Sequence, residues 1–155
     1  MIVLVECFHD FALAKALGVR RQAIRHESGK GNVLNRLSKA QAEAVGLLDE
    51  DPHGGNPPAQ LANYEEKDRT GGLRLLVHRQ DPSKHVIEIS PRLEEWLVAR
   101  ARTCNIDLAT HRLPGTAREM HDNPRCDLKP GFQPFIQELL QIDAEMKTLR
   151  RWLQG

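Results

Sequence analysis

The sequence predicts an α/β fold in which a mostly parallel sheet is flanked by helices and followed by a C-terminal helical extension. Short apolar segments rich in β-branched residues alternate along the chain with segments whose apolar residues recur at helical spacing. Such alternation is typical of a parallel sheet with right-handed crossovers and helices on both faces. A chain of 155 residues is also long enough for one domain with a sizeable core.

The first half of the chain supplies three strands and two helices in alternation. The predicted strands are residues 1–6, 23–26 and 45–48. The predicted helices are residues 8–17 and 33–40. The first helix ends where Gly18 offers a natural stop, and the second follows a turn over residues 28–32.

The second half begins with a segment that breaks this alternation. Residues 51–70 contain three prolines and two glycines. A connection of this length in a compact domain is usually functional or mobile, so it is predicted to form a lid. The next predicted strands are residues 73–78 and 85–89. Ser90 and Pro91 then have the residue types that cap and begin a helix, which is expected to run to about residue 102.

The rest of the chain is predicted to pack on the same domain, so that residues 1–103 form the α/β unit and residues 104–155 extend it. A short helix is expected over residues 117–121. Residues 132–153 predict one amphipathic helix with a broad apolar stripe. That stripe packs on the sheet or a neighbouring helix, or it serves a protein partner or self-association.

Composition restricts the partners and the compartment. The chain has 22 basic and 21 acidic residues, and its formal charge of +1 argues against a protein that coats polyanions in general. Three cysteines without a CxxC pair argue against a disulfide framework and favour a reducing compartment. The apolar start is too short for a signal peptide and no run reaches transmembrane length, so we expect a cytoplasmic protein without membrane contact.

Acidic residues end two of the predicted strands. Glu6 ends the first strand, and Asp49 and Asp51 follow residues 45–48. The carboxyl ends of parallel strands meet at one edge of a sheet, where such folds place their chemistry. In extended geometry Asp49 and Asp51 point the same way and can share one Mg²⁺ or Mn²⁺ ion, or they form a solvated turn. Asp10 is a candidate fourth acid, or it complements the dipole of its helix.

The two acidic motifs resemble a known family. Residues 5–10 are Val-Glu-Cys-Phe-His-Asp, and residues 46–51 are Gly-Leu-Leu-Asp-Glu-Asp. This pattern is similar to the Toprim domain, the metal-binding catalytic module shared by topoisomerases, bacterial primases and nucleases of the overcoming-lysogenization-defect type. The family has a strand ending in Glu, a further acid a few residues on, and a later strand ending in Asp-x-Asp. The resemblance covers roughly residues 1–100 and implies a compact, Rossmann-like Toprim domain, as in a small stand-alone member.

The resemblance also implies an activity, namely metal-dependent phosphodiester hydrolysis or transfer on nucleic acid. The metal ligands that it implies are Glu6, Asp10, Asp49, Asp51 and Glu94. Among them Glu6, Asp49 and Asp51 are the catalytic residues, with Glu6 as a ligand or as general acid and base. Glu94 completes a second metal site, for which Glu95 and Glu88 are alternatives.

One position departs from the family pattern, because Cys7 stands where the family usually has glycine. Glycine permits a tight turn at the strand end, and Cys7 fits only if its backbone angles are ordinary. A reactive cysteine nucleophile is the alternative interpretation, although no base has a fixed place beside it.

Basic residues are candidates for contact with DNA or RNA, between which the sequence does not choose. Lys30 lies in a Gly-Lys-Gly-Asn segment before a helix, a setting that suits a phosphate group. Arg112 and Arg118 belong to a locally basic stretch, which serves a phosphate backbone or is simply solvated. The same stretch contains an alternative, loosely spaced set of Zn²⁺ ligands, Cys104, His111, His121 and Cys126.

Two functions of other classes compete with the nuclease hypothesis. One is a Toprim-like binding or regulatory module without turnover, which acts with a larger partner through residues 132–153. The other is a phosphoacceptor receiver domain, which also clusters acids at strand ends. A receiver has its paired acids after the first strand and a single aspartate after the third, the reverse of the order in this chain.

Overall fold

The computed structural model describes residues 1–123 and 125–155, which form a mixed α/β structure. Within these ranges the strands are β1 (Ile2–Val5), β2 (Ile24–His26), β3 (Ala44–Asp49), β4 (Tyr64–Thr70), β5 (Leu73–His78) and β6 (Lys84–Ile89). The helices are α1 (Phe8–Ala16), α2 (Lys30–Ser38), α3 (Leu93–Thr103), α4 (Ala117–Asp122), α5 (Phe132–Ile142) and α6 (Ala144–Gln154). The predicted α/β class, with a mostly parallel sheet, is therefore confirmed.

All strands belong to one sheet with the order β2-β1-β3-β6-β5-β4. The first four strands in this order are parallel, whereas β5 is antiparallel to both β6 and β4. The chain leaves β1 toward β2 on one side and later returns to β3 on the other side. The strand order therefore reverses between β1 and β3, and their carboxyl ends define a switch point where α/β sheets bind ligands.

The sheet separates two hydrophobic layers. Val3 and Val5 of β1 belong to the larger layer, which contains side chains of α1, α3, α5 and α6. Leu4 of β1 belongs to the smaller layer, which is formed mainly with α2. Gly46 of β3 lets α2 approach closely, because a Cβ at this position would lie 2.9 Å from Val33 Cγ1. This close packing positions the N-terminus of α2 near the carboxyl edge of the sheet.

The prediction of a lid over residues 51–70 is wrong for residues 59–70. Residues 59–63 form a 3₁₀ turn, and Tyr64–Thr70 is the edge strand β4. The interior of β4 consists of charged side chains, Glu65, Glu66, Lys67, Asp68 and Arg69. Such residues suit an exposed sheet edge, where charge prevents pairing with another chain, but they give no apolar alternation that would indicate a strand.

The predicted C-terminal helix is also wrong, because it divides into α5 and α6 at Asp143. Asp143 has extended backbone angles, φ −88° and ψ 125°, and its carboxylate accepts the backbone N–H of Met146 at 2.8 Å. The same carboxylate lies 3.2 Å from Arg100 Nη1. The apolar stripe continues through both helices, so periodicity alone does not reveal the break.

The start of α3 differs from the prediction as well. Ser90 is not the N-cap, since Arg92 occupies that position and α3 begins at Leu93. The backbone N–H of Leu93 donates to Asp49 Oδ1 at 2.8 Å. A carboxylate from β3 therefore satisfies a donor that a local cap would normally take.

None of the helices in the described parts of the chain is long and apolar enough to cross a membrane.

Candidate functional site

The candidate site lies at the switch point, where two acids leave neighbouring strands at the same edge. Glu6 directly follows β1, and Asp49 is the last residue of β3. Val5 of β1 pairs with Leu47 of β3, so Glu6 comes level with Leu48, one residue before Asp49, along the edge. The site is thus built by the parallel pairing of the two strands.

A capping box at the start of α1 fixes Asp10 close to Glu6. The backbone N–H of Cys7 donates to Asp10 Oδ2 at 3.1 Å, and the N–H of Asp10 donates to Cys7 Sγ at 3.5 Å. Cys7 has ordinary extended angles, φ −139° and ψ 176°, so the glycine of the family pattern is not required here. Burial, followed by the charge of Asp10, raises the pKa of the Cys7 thiol, which counts against a reactive cysteine.

Three buried polar atoms in this region have no hydrogen-bond partner within the described part of the chain. They are Glu6 Oε1, His9 Nε2 and Asp10 Oδ1. Asp10 is only 2% exposed and His9 only 6%. Native structures pair nearly all such atoms, so three of them in one region mark a candidate binding site.

Burial and the repulsion between neighbouring acids raise the pKa values of the carboxyl groups at this edge of the sheet. The pKa of Asp49 is raised to about 7, first by burial and then by the charge of Glu6. Burial and the charge of Asp49 raise the pKa of Asp10 well above its usual range, and burial also raises the pKa of Glu6. The Lys30 ammonium opposes these shifts at Glu6 and Asp49. A cation bound here would relieve the repulsion that these acids exert on each other.

Two cavities open at the edge, and Glu6 lines both of them. The larger has a volume of about 810 Å³ and includes Lys30, Asp51 and Glu88 together with the loop of residues 52–58. The smaller has a volume of about 440 Å³, and its lining includes His9, Asp10, Asp49, Glu94 and His121. The first half of the predicted lid thus borders the larger cavity.

Asp51 does not extend the strand beside Asp49 as predicted. It has a positive φ of 48°, so the chain turns away after β3 ends. Asp51 Oδ1 accepts hydrogen bonds from the Arg92 guanidinium at 2.9 and 3.1 Å. As a result Asp51 and Asp49 line different cavities, and Glu6 lines both of these cavities.

Glu94 lies in the smaller cavity and contacts a histidine. Glu94 Oε1 is 2.8 Å from His9 Nδ1 and 3.8 Å from His121 Nδ1. Burial acts to raise the pKa of Glu94, but the hydrogen bond with His9 and the nearby charges outweigh it and lower the pKa. Of the two alternatives, Glu95 is exposed, and Glu88 is buried and paired with Arg74.

The basic candidates are placed differently. Lys30 lies at the N-terminus of α2, and its ammonium donates to the Glu50 carbonyl at 3.1 Å beside the larger cavity. Arg118 on α4 has a side chain that is 90% exposed and borders a small surface depression with Glu94 and His121. Arg112 is exposed at the end of a 3₁₀ turn.

The described residues contain no preformed metal site. In residues 1–123 and 125–155 no group of three or more His, Cys, Asp or Glu side chains is arranged to hold a metal ion. The Zn²⁺ alternative therefore has no preformed site there. The groups at the switch point are mainly carboxylates, and two of their oxygens have no partner in the described part of the chain. Carboxylate oxygens are the ligands that Mg²⁺ and Mn²⁺ prefer, and the side chains would have to rotate to reach a common ion.

No family model, no curated protein and no solved structure matches this chain. The resemblance to the Toprim module therefore stays a prediction from the two acidic motifs.

The sequence did not identify several residues of the site. His9 is adjacent to the acidic motif, but its partner Glu94 is distant in the chain, so nothing local indicates the direction of its side chain. Arg92 follows Ser-Pro at a helix start and gives no sign that it will pair with Asp51. Such pairings depend on the tertiary fold, which brings the starts of α1 and α3 to the same edge of the sheet.

Proposed function

We propose that the protein is a Toprim-type nuclease, which hydrolyses phosphodiester bonds of nucleic acid with Mg²⁺ or Mn²⁺. The observation that carries the proposal is the pair of unpartnered oxygens, Glu6 Oε1 and Asp10 Oδ1, at the switch point of the sheet. A buried carboxylate oxygen without a partner is costly, and a divalent cation compensates several such oxygens at once.

Glu6, Asp10 and Asp49 would hold the ion, whereas Asp51, which lines the larger cavity, would join them only when released from Arg92. Asp49 Oδ1 and Asp51 Oδ1 already accept hydrogen bonds from Leu93 and Arg92, which leaves one oxygen of each carboxylate for a cation. When bound, the ion supplies Lewis-acid stabilisation of a phosphate and a more acidic water nucleophile.

The protein's own groups supply binding and proton transfer. Lys30 presents an ammonium to a phosphate beside the larger cavity, whose volume of about 810 Å³ lies in the range of small-molecule sites and suits one nucleotide. Glu6 lines both cavities, so it is placed either to hold the ion or to exchange a proton with water or with the leaving group. Arg118 is placed to hold the chain of phosphates beyond the cavity.

The test is cleavage of labelled single-stranded and double-stranded DNA and RNA at low salt with Mn²⁺ or Mg²⁺. Glu6→Gln should reduce the rate at least about a hundredfold, the range expected for a positioned acid or base. Glu43→Gln is the matched control, because Glu43 is exposed just before β3 at the opposite edge of the sheet. Equal rates for the two variants would contradict the assigned role of Glu6.

A second candidate function is a Toprim-like binding module without turnover. It is favoured by the Asp51–Arg92 pair, which occupies one of the motif aspartates, and by the lack of a preformed ligand set in the described ranges. In that case no nucleic acid is cleaved with either ion, and a partner binds through residues 132–153. Arg92→Gln separates the two functions, since it frees Asp51 and should preserve or raise cleavage only in a nuclease.

A further inference from the structure

His9 is the residue of the smaller cavity whose chemistry remains unexplained. It is 6% exposed, and it lines this cavity together with Glu6, Asp10 and Asp49. Its Nδ1 is 2.8 Å from Glu94 Oε1, whereas its Nε2 has no partner within the described residues. A buried imidazole is thus held at one nitrogen while the other is unused.

The partner at Nδ1 determines which nitrogen carries the proton. An ionised carboxylate can only accept a hydrogen bond, so His9 Nδ1 must donate to Glu94. In the neutral imidazole, Nε2 then carries no proton, and its lone pair has no hydrogen-bond partner within the described residues. Carboxylate–histidine pairs of this kind are typical of metal-binding histidines, in which the carboxylate fixes the tautomer and the ring orientation.

We propose that His9 Nε2 is a nitrogen ligand of the ion at the switch point, and that Glu94 positions His9 instead of binding the ion itself. This inference rests on the proposed metal site. It replaces the second metal ligand predicted at Glu94 with an indirect role for that residue.

The consequence of a nitrogen ligand is metal selectivity. An all-oxygen set suits Mg²⁺, whereas an imidazole increases affinity for transition-metal ions relative to Mg²⁺. The site therefore selects Mn²⁺ and the later divalent ions over Mg²⁺. His121 is not expected to share this role, because its side chain is 63% exposed and lies at the rim.

The test compares binding of Mn²⁺ and Mg²⁺ to the full chain by isothermal titration calorimetry. His9→Gln should weaken Mn²⁺ binding about 10- to 100-fold, and Glu94→Gln should have a smaller effect of the same sign. Binding of Mg²⁺ should change less than about threefold in both variants. His85→Gln is the matched control, because His85 lies near the start of β6 at the opposite edge of the sheet, and this variant should bind both ions like the wild type.

The outcomes separate this inference from the proposed function. Unchanged Mn²⁺ binding in His9→Gln would overturn the role of His9 and leave the metal site intact. No binding of either ion to the wild type would overturn both. If His9→Gln does not fold, pulsed electron paramagnetic resonance of Mn²⁺ in the wild type decides. Coupling to an imidazole ¹⁴N supports the inference, and its absence contradicts it.

Discussion

Buried acids occur in two regions of this molecule and are treated in opposite ways. Away from the switch point Asp143 is paired with Arg100, and Glu88, which lines the larger cavity, is paired with Arg74. At the switch point Glu6 and Asp10 each keep a buried oxygen without a partner. An arginine compensates the buried carboxylate in each of the first two pairs. At the switch point two carboxylate oxygens have no partner among the described residues, and a bound cation would explain this difference.

The largest effect on stability is expected where the charges are paired. Arg100 Nη1 lies 3.2 Å from Asp143 and 2.8 Å from Glu145, and both carboxylates are largely buried. Arg100→Met leaves two carboxylates without their cation and should lower the free energy of unfolding by about 3 kcal/mol. Urea denaturation measures this change.

The matched change at the switch point should have the opposite sign. Asp10→Asn removes a buried charge that has no cation, so it should leave the stability in EDTA unchanged or raise it. A loss of stability as large as that of Arg100→Met would mean that the two regions do not differ.

The pH dependence of stability sharpens the same comparison. Asp49 has a pKa of about 7 in the folded protein and an ordinary value of 3.8, so the folded state binds more protons between these pH values. In EDTA, stability should therefore fall as the pH rises from about 4 to about 7. The pKa of Glu94 is lowered, so Glu94 affects the stability below its ordinary pKa of 4.5, which lies outside most of this pH range.

Asp49→Asn tests this assignment, because asparagine keeps the acceptor for Leu93 N–H and removes the charge. The variant should flatten the decline by up to about 1.4 kcal/mol per pH unit, the effect of one proton. Mg²⁺ or Mn²⁺ should raise the melting temperature of the wild type, and Asp49→Asn should abolish this rise. Asp49→Asn could instead keep the wild-type dependence of stability on pH and the wild-type rise in melting temperature with metal. Asp49 would then be neither the titrating group nor a ligand of the ion.

The sequence predicted the parts of the molecule that depend on local pattern. The apolar runs of β1, β3, β5 and β6 were found because buried strands need them. The acids that follow β1 and β3 were found because strand ends are visible in the sequence. Charged β4 and the break at Asp143 were missed, since an edge strand lacks apolar alternation and Asp143 is held by the distant Arg100.

The smallest effect is expected at the exposed basic surface. Arg118→Ala should change stability by less than about 0.5 kcal/mol, because its side chain is 90% exposed. It should weaken binding of nucleic acid and reduce the slope of log K against log salt by about 1. Fluorescence anisotropy at several salt concentrations measures both quantities. Arg150→Ala, at an exposed position on α6, is the control, and an equal loss there would show that Arg118 has no special role.

The central claim is that the open carboxylates at the switch point bind a divalent cation. A crystal structure of the protein soaked in Mn²⁺, with anomalous diffraction data, tests it most directly. We predict an anomalous peak bonded to Glu6, Asp10 and Asp49 oxygens at about 2.0 to 2.6 Å. Full Mn²⁺ occupancy elsewhere, with Glu6 Oε1 and Asp10 Oδ1 still unpartnered, would contradict the claim.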